Sequence, residues 1–467
     1  MNPPRATKLV CTLGPASGER VEQLVAAGMD VARLNLTHGT REDHERLVAA
    51  VRSAAEAAGR PIAVMTDLSG PKVRLGDLPG GEMELQEGVG FALRPEEAGG
   101  GAGATTNYSG LASDLEQDDR VLLSDGVVEL RVVEAAGDEV RTEVVRGGLI
   151  RSRAGVNVPA ERLGLPAITE KDERDLAWVR EADVDLVSQS FVRRAEEVRA
   201  LRDLLGDASA LVVAKIETAP AVEDCDRILE AADVVMVARG DLGVELPPEE
   251  IPVIQKDLVD RANRAGVPVV VATQMLESMT ENPRPTRAEA SDVAHAVFDG
   301  AAGVLLSAET AIGRYPVEAA ATAGRILREA ETRGKRFLSG AVEEMTQRTD
   351  AHAIAHAARA VVDGGSAKAI ACFTRTGLTA RLLAGVRPSV PIYAFSHDER
   401  VVRRLTIFRG VHSMRCDLPE DTDAMLSMMD RRIRDDGLAS AGDPVVLVAS
   451  TPVGKAKTNL LKVHRVG

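Results

Sequence analysis

Two short apolar runs in the middle of the chain each end in charge. Leu211-Val212-Val213-Ala214 delivers Lys215 and Glu217, and Val234-Val235-Met236-Val237 delivers Arg239, Gly240 and Asp241. Both runs are short and rich in β-branched residues, as buried parallel strands are. Residues 221–231 between them read as one amphipathic crossover helix, which makes the whole a βαβ unit. On neighbouring strand ends the carboxylates of Glu217 and Asp241 could share a hard divalent ion, with Lys215 beside them to neutralise a developing oxyanion. A structural salt bridge at a strand end would use the same residue types, and from these residues alone the two readings stand level.

The same arrangement recurs along the chain. Strand-like runs at 8–12, 31–34, 62–66, 184–190, 211–216, 234–238, 267–272 and 303–306 alternate with helical stretches such as 21–27 and 42–57. Eight parallel strands alternating with helices fit a closed (β/α)8 barrel, whose active site lies at the carboxyl ends of the strands. Arg33, Asn35, Asp67, Ser190, Arg193, Thr273, Ser307 and Glu309 fall at those ends together with the central group. Stability alone does not call for polar residues at one end of successive strands. The chemistry implied is a metal-assisted reaction of a small anion, with Arg33 and Lys215 on its negative oxygens and Glu217 and Asp241 on the ion. Near the end of this region Thr286 and Glu289 form a capping box, and Gly300 is placed to stop the helix.

The alternation breaks between Asp67 and Gly155. Residues 83–149 have a period of two with Gly-rich turns, including 99–103, and read as a small β-barrel inserted after the third strand, a lid that excludes water during chemistry. After about residue 340 a third unit begins, with strand-like runs at 367–374, 391–396, 411–416, 444–450 and 460–465 and a helical stretch at 351–362. An open α/β sheet is the economical reading. Its loop Thr374-Arg375-Thr376-Gly377-Leu378-Thr379 opens a helix, where N–H groups and hydroxyls can cradle phosphate. Gly454-Lys455-Ala456-Lys457-Thr458 offers two more cations, and ordinary turn and cap chemistry explains either loop as well. The expected division is 1–70 and 155–340 for the barrel, 71–154 for the lid and 341–467 for the C-terminal unit.

Composition narrows the class. With 467 residues the chain has length for roughly two to four domains. No run of about 18 apolar residues and no signal segment is present, so a soluble cytoplasmic protein is expected. Cys11, Cys225, Cys372 and Cys416 form no CxxC pair and read as small buried residues rather than zinc ligands or disulfides. A net charge of -14 argues against bulk nucleic-acid or membrane binding. An anionic small substrate then needs a local basic pocket.

At the strand ends the chain closely resembles the pyruvate kinase family. The matching segments are KLVCTLGPAS at 8–17, VARLNLTHG at 31–39, GVNVP at 155–159, LPAITEKD at 165–172, VARGDLG at 237–243, ATQMLESM at 272–279, PRPTRAE at 283–289 and LSAET at 306–310. The resemblance covers nearly the whole chain. It implies phosphoryl transfer from phosphoenolpyruvate to ADP through a Mg-bound enolate, giving pyruvate and ATP in the last step of glycolysis. By motif matching it implies Lys215 as the lysine that neutralises the phosphoryl group and the enolate. It likewise implies Glu217 and Asp241 as ligands of Mg2+, with Mn2+ as a substitute, and Arg33 as the grip on the phosphoryl group. Gly240 and Asp241 offer N–H groups to the substrate carboxylate, and Thr273 resembles the threonine that helps deliver a proton to the enolate. Asn35, Arg74 and Arg153 are expected to face the nucleotide. The resemblance further implies a homotetramer, and a phosphorylated allosteric effector at Thr374, Thr376, Gly377 and Thr379.

Two departures stand out. Ala154 occupies the position of a nucleotide-contacting lysine, so Arg153 or Arg151 takes that duty or ADP is held more loosely. Potassium-dependent members have Thr at Leu68 and Glu at Lys72, and hold the monovalent ion among groups matching Asn35, Thr37, Asp67 and the Leu68 carbonyl. Here Lys72 is expected to pair with Asp67 and supply the charge of K+, so that potassium is not required. Two other classes compete: another barrel enzyme acting on phosphoenolpyruvate or pyruvate, and a non-catalytic sugar-phosphate sensor. The sensor predicts loss of Lys215, Glu217 or Asp241, and all three are present.

Overall fold

A computed structural model describes residues 4–98, 103–206, 210–334, 349–365, 367–453 and 457–467. The expected strands close into an eight-stranded parallel barrel. In chain order they are Lys8–Leu13, Val31–Asn35, Ala63–Asp67, Leu186–Val192, Leu211–Ile216, Val234–Ala238, Val269–Ala272 and Gly303–Leu306, and the last pairs with the first. Their near-continuous apolar runs follow from burial on both faces. In the fifth strand Val212 and Ala214 pack among the surrounding helices, while Val213 joins Val10, Val234, Met236 and Val270 inside the barrel. Each such side chain contributes about 1.5–3 kcal/mol by leaving water.

Three aspartates seal the amino-terminal end of this barrel in the same way. Asp30, Asp185 and Asp233 each stand one residue before the second, fourth and sixth strands. Their carboxylates accept N–H bonds from Leu9 (2.9 Å), Val64 (2.8 Å) and Val212 (3.0 Å), each the second residue of the preceding strand. Arginines neutralise all three. Arg5 and Arg60 serve Asp30, whereas Arg403 at 2.8 Å and Arg381 at 3.0 Å come from the C-terminal unit to Asp185 and Asp233. The C-terminal unit is thereby tied to the face of the barrel opposite the candidate site.

The helix boundaries follow local chemistry. Thr286 and Glu289 form the expected capping box, and Gly300 ends that helix with φ 105°. One expectation is corrected: 221–231 is not one crossover helix but two, Ala219–Glu223 and Cys225–Ala231. The break falls at Asp224, whose carboxylate accepts the N–H of Ala195 at 2.8 Å instead of lying along a continuous helix face.

The inserted unit encloses its own apolar core, including Leu93, Leu123, Leu130 and Ile150. Its six-stranded sheet closes as the expected small barrel, because residues 74 and 75 bridge the two edge strands, Arg74 to Gly155 beside Val156–Asn157 and Leu75 to Thr106 in Ala104–Thr106. A two-stranded ribbon, Glu82–Leu85 with Gly148–Arg151, is attached. Val156–Asn157 still pairs with its sheet before the chain re-enters the barrel. The C-terminal unit is an open five-stranded sheet in the order Val411–Arg415, Ile392–Ser396, Ile370–Phe373, Pro444–Ala449 and Leu460–Arg465, with the last strand antiparallel. Of its two singled-out loops, residues 454–456 lie outside the described residues.

Candidate active site

Arg33, Ser190 and Lys215, from the carboxyl ends of the second, fourth and fifth strands, converge on Asp67 at the end of the third. This residue is almost fully buried. Its Oδ2 accepts from Nε (2.8 Å) and Nη2 of Arg33, and Lys215 Nζ lies 3.6 Å from the same oxygen. Arg33 Nη1 donates to Thr12 Oγ1 at 2.9 Å, so the guanidinium is held at both ends. Burial pushes the Asp67 carboxyl up, but Lys215 and Arg33 outweigh it and hold it below the ordinary carboxylate range. Its charge is the fixed point around which the cations are arranged.

Lys215 is a nearly buried cation. Nζ donates to Ser190 Oγ at 2.8 Å and lies 2.7 Å from Glu217 Oε1. Burial pulls its ammonium down, and Asp67 and Glu217 more than reverse this, so it stays charged well above neutral pH. Glu217 is pushed up to about 7, by burial first, against the pull of Lys215 and with the push of Asp241. Its Oε2 accepts the Phe191 N–H at 2.8 Å, whereas the buried Oε1 has no well-aligned hydrogen bond.

That N–H owes its direction to an irregularity the sequence does not announce. The register of the fourth strand shifts between Gln189 and Val192, and Phe191 has φ 54°. Such a bulge re-aims consecutive groups. Ser190 Oγ thereby donates to the Leu68 carbonyl at 2.8 Å while accepting from Lys215. Sequence reading placed Ser190 at the strand end but missed Phe191 and Thr12.

Thr273 follows the seventh strand with φ 69°, followed by Gln274 at φ 54°. A β-branched residue in the left-handed region is strained, and such strain clusters at functional sites. Two bonds hold it: its Oγ1 donates to the Ala272 carbonyl at 2.6 Å and accepts the Gly240 N–H at 2.7 Å. Arg239 donates to the Thr273 carbonyl at 2.6 Å and pairs with Asp292 at 2.7 Å, supporting the loop. Glu309 likewise receives the N–H groups of Leu276 and Ser307. Arg193 pairs with Glu197 at 2.9 Å. Arg239, Glu309 and Arg193 therefore hold structure.

The lysine expected against Asp67 is elsewhere. Lys72 Nζ lies 3.8 Å from Asp241 Oδ1 and 5.8 Å from the centre of the Phe191 ring, because Arg33 and Lys215 already saturate Asp67. Lys72, Asp125, Gly240, Asp241 and Gln274 line a cleft of about 850 Å³. The other groups of the monovalent-ion region do come together. Asn35 pairs with Asp67 in strand register, its Oδ1 accepts the Thr37 N–H at 3.1 Å, and Thr37 Oγ1 donates to Ser69 Oγ at 3.3 Å.

Around a neighbouring pocket of about 350 Å³ stand Thr37, Ser69, Lys72, Arg74, Asn107 and Lys171. Arg74 Nη1 donates to the Arg153 carbonyl at 3.1 Å. The Arg153 guanidinium turns away to Asp77 (2.8 Å) and Glu96 (2.9 Å), and Arg151 to Glu82 (3.6 Å). In the C-terminal unit Thr374, Thr376 and Thr379 line a separate pocket of about 320 Å³ with His397, Asp398 and Ser450. Thr374 Oγ1 accepts the N–H of Gly377, whose φ of 91° makes the turn, and Thr379 Oγ1 bonds Thr458 Oγ1 at 2.7 Å.

Comparison with known proteins accords with this geometry. A family model described as pyruvate kinase, barrel domain matches residues 4–320, and one described as pyruvate kinase, alpha/beta domain matches 352–464. The chain is 43% identical to a pyruvate kinase of Geobacillus stearothermophilus, over 98% of this chain and 80% of that one. It is 41% identical to a pyruvate kinase of Corynebacterium glutamicum, over 99% and 98% of the two. Among solved structures, a pyruvate kinase from Cryptosporidium parvum superposes with a TM-score of 0.91 at 33% identity, over 99% of this chain and 96% of that one.

Proposed function

The chain belongs to the pyruvate kinase family and is a phosphotransferase, and from that premise we propose how its residues move a phosphoryl group from phosphoenolpyruvate to ADP. Such a transfer needs charge neutralised over the phosphoryl oxygens and reactants held in line, with little covalent help. Arg33, fixed by Asp67 and Thr12, grips the phosphoryl oxygens. Lys215 faces the oxygen between phosphorus and carbon and stabilises the negative charge left on the enolate. The N–H groups of Gly240 and Asp241 receive the substrate carboxylate. Thr273 completes that cradle and helps pass the proton that turns enolate into pyruvate.

Glu217 and Asp241 suit a divalent ion. Glu217 Oε1 is buried and faces the Lys215 ammonium at 2.7 Å without a well-aligned hydrogen bond, and among the described residues no three or more His, Cys, Asp or Glu form a metal cluster. Two carboxylates that leave remaining positions to water and substrate oxygens match Mg2+, and Mn2+ by the same donors. When bound, the ion supplies positive charge beside the transferring group. Lys72 adds a fixed positive charge on the Asp241 side, and the enzyme works without K+. Arg74, on the wall of its pocket with Asn35 near by, is the better supported nucleotide contact; Arg153 would first have to leave Asp77 and Glu96. A homotetramer in the cytoplasm, with a phosphorylated effector in the Thr374–Thr379 pocket, completes the proposal. Among the described residues no helix is long and apolar enough to cross a membrane.

What carries this reading is Lys215, a cation nearly excluded from water yet kept charged between Asp67 and Glu217. A coupled assay for pyruvate formed from phosphoenolpyruvate and ADP tests it.

A further inference from the structure

Far from the strand ends, at the seam between barrel and C-terminal unit, two arginines stand without acidic partners. Arg387 and Arg409 line a small cavity with Asn263, Gly266, Gly300 and Phe408. It leaves about 20 Å³ for the centre of a water-sized sphere, room for one water molecule or an ion of similar size. Arg409 Nε is buried with no hydrogen-bond partner, and among the described residues no ion pair or hydrogen bond reaches either guanidinium. Burial first, then the repulsion of Arg409 and Arg359, brings Arg387 down to about 9. Glu331 is the acid whose field reaches Arg409, but its carboxylate is committed to the N–H groups of Ala6 (3.0 Å) and Thr7 (2.5 Å).

The cavity has one built-in source of negative potential. Gly266 and Gly300 end the helices Ile251–Ala265 and Arg287–Asp299 in the left-handed conformation. The guanidinium of Arg387 lies directly on Gly300, where a Cβ would collide with Nη1. Each helix carboxyl end carries roughly half a negative charge. The helix Leu378–Gly385 ends at the same cavity, with Ala384 and Gly385 in its wall, and the three ends together offset about one and a half of the two positive charges and leave a positive remainder. A water molecule supplies lone pairs but no charge, and the two half-buried arginines gain from a counter-charge held between them. A tetrahedral oxyanion exceeds a cavity of one water.

We propose that this cavity binds one small monovalent anion, of which chloride is the natural case, between Arg387 and Arg409, and that the ion strengthens the junction of the barrel with the C-terminal unit. Stabilisation by such a ligand rises with its concentration and saturates.

Two measurements on the full chain test this. In crystals soaked in bromide, an anomalous peak is expected between the two guanidiniums; density there that fits water alone would overturn the proposal. In solution, replacing gluconate by chloride at constant ionic strength should raise Tm by about 1–3 °C and then level off, and Arg409→Met should remove that response. Equal Tm in the two salts would overturn the proposal, as would bromide bound in the crystal without any chloride response in solution. The wild-type measurements decide the matter even if the variant fails to fold.

Discussion

Lys72 Nζ faces Asp241 Oδ1 at 3.8 Å across the cleft between the inserted unit and the barrel, with both side chains partly exposed. A mobile K+ ion brought beside it would meet a like charge. The wild-type enzyme should therefore turn over in a potassium-free, sodium-free buffer whose ionic strength is held by a tetramethylammonium salt. Lys72→Glu should lose activity and regain part of it with added potassium. Strong activation of the wild type by K+ would contradict the role given to this lysine.

Asp67 positions rather than reacts. Asp67→Asn removes the charge that holds Arg33 and Lys215 on one oxygen, and a displacement of about 1 Å in such groups costs on the order of 100-fold in rate. The expected result is a fall of that size in kcat with the fold retained by circular dichroism. Unchanged kcat would show that the two cations are held by their other partners.

Stability at acid pH rests on the aspartates. Burial pushes Asp30 and Asp233 up, but their arginine partners, helped at Asp30 by Lys8, hold both below the ordinary carboxylate value. Groups lowered on folding stabilise the protein fully above the unfolded value, about 3.9, and lose that contribution as pH falls through the folded values. Tm should thus show little loss from these groups between pH 7 and about pH 5, then drop steeply below about pH 4. Asp233→Asn should lower Tm at pH 7 and shallow the acid decline. An unaltered acid profile in the variant would remove Asp233 from the account.

Much of this was legible in the residues. Buried parallel strands have to be apolar on both faces, so the runs ending at Lys215 and Asp241 declared both the barrel and its working end. Thr286, Glu289 and Gly300 marked their helix ends for equally local reasons. What stayed hidden was decided by competition between distant groups. Lys72 was expected on Asp67, but nothing in the spacing shows that Arg33 and Lys215 fill that carboxylate first. Phe191 was missed because a bulge depends on how a strand pairs, and Asp224 broke the crossover helix by capping a neighbour 29 residues away. The pairing of Asp185 and Asp233 with Arg403 and Arg381 joins residues too far apart in sequence for any local pattern.

Regulation and assembly can be tested separately. Titrating sugar phosphates and AMP against the substrate saturation curve should shift it through the pocket at Thr374, Thr376 and Thr379, and a curve that none of them moves would count against an effector there. Light scattering on the eluting protein should give four chains; a monomer would refute the tetramer.

The central claim is that the charge on Lys215 carries phosphoryl transfer at the barrel strand ends. Lys215→Met removes that charge, and loss of one such preorganised contact costs about 100- to 1,000-fold in rate. Pyruvate formation from phosphoenolpyruvate and ADP, measured side by side for wild type and Lys215→Met with Mg2+ saturating, is the direct measurement. The account predicts rapid turnover in the first and a loss of at least that size in the second, with Mn2+ binding largely retained. Near wild-type turnover in Lys215→Met would contradict it.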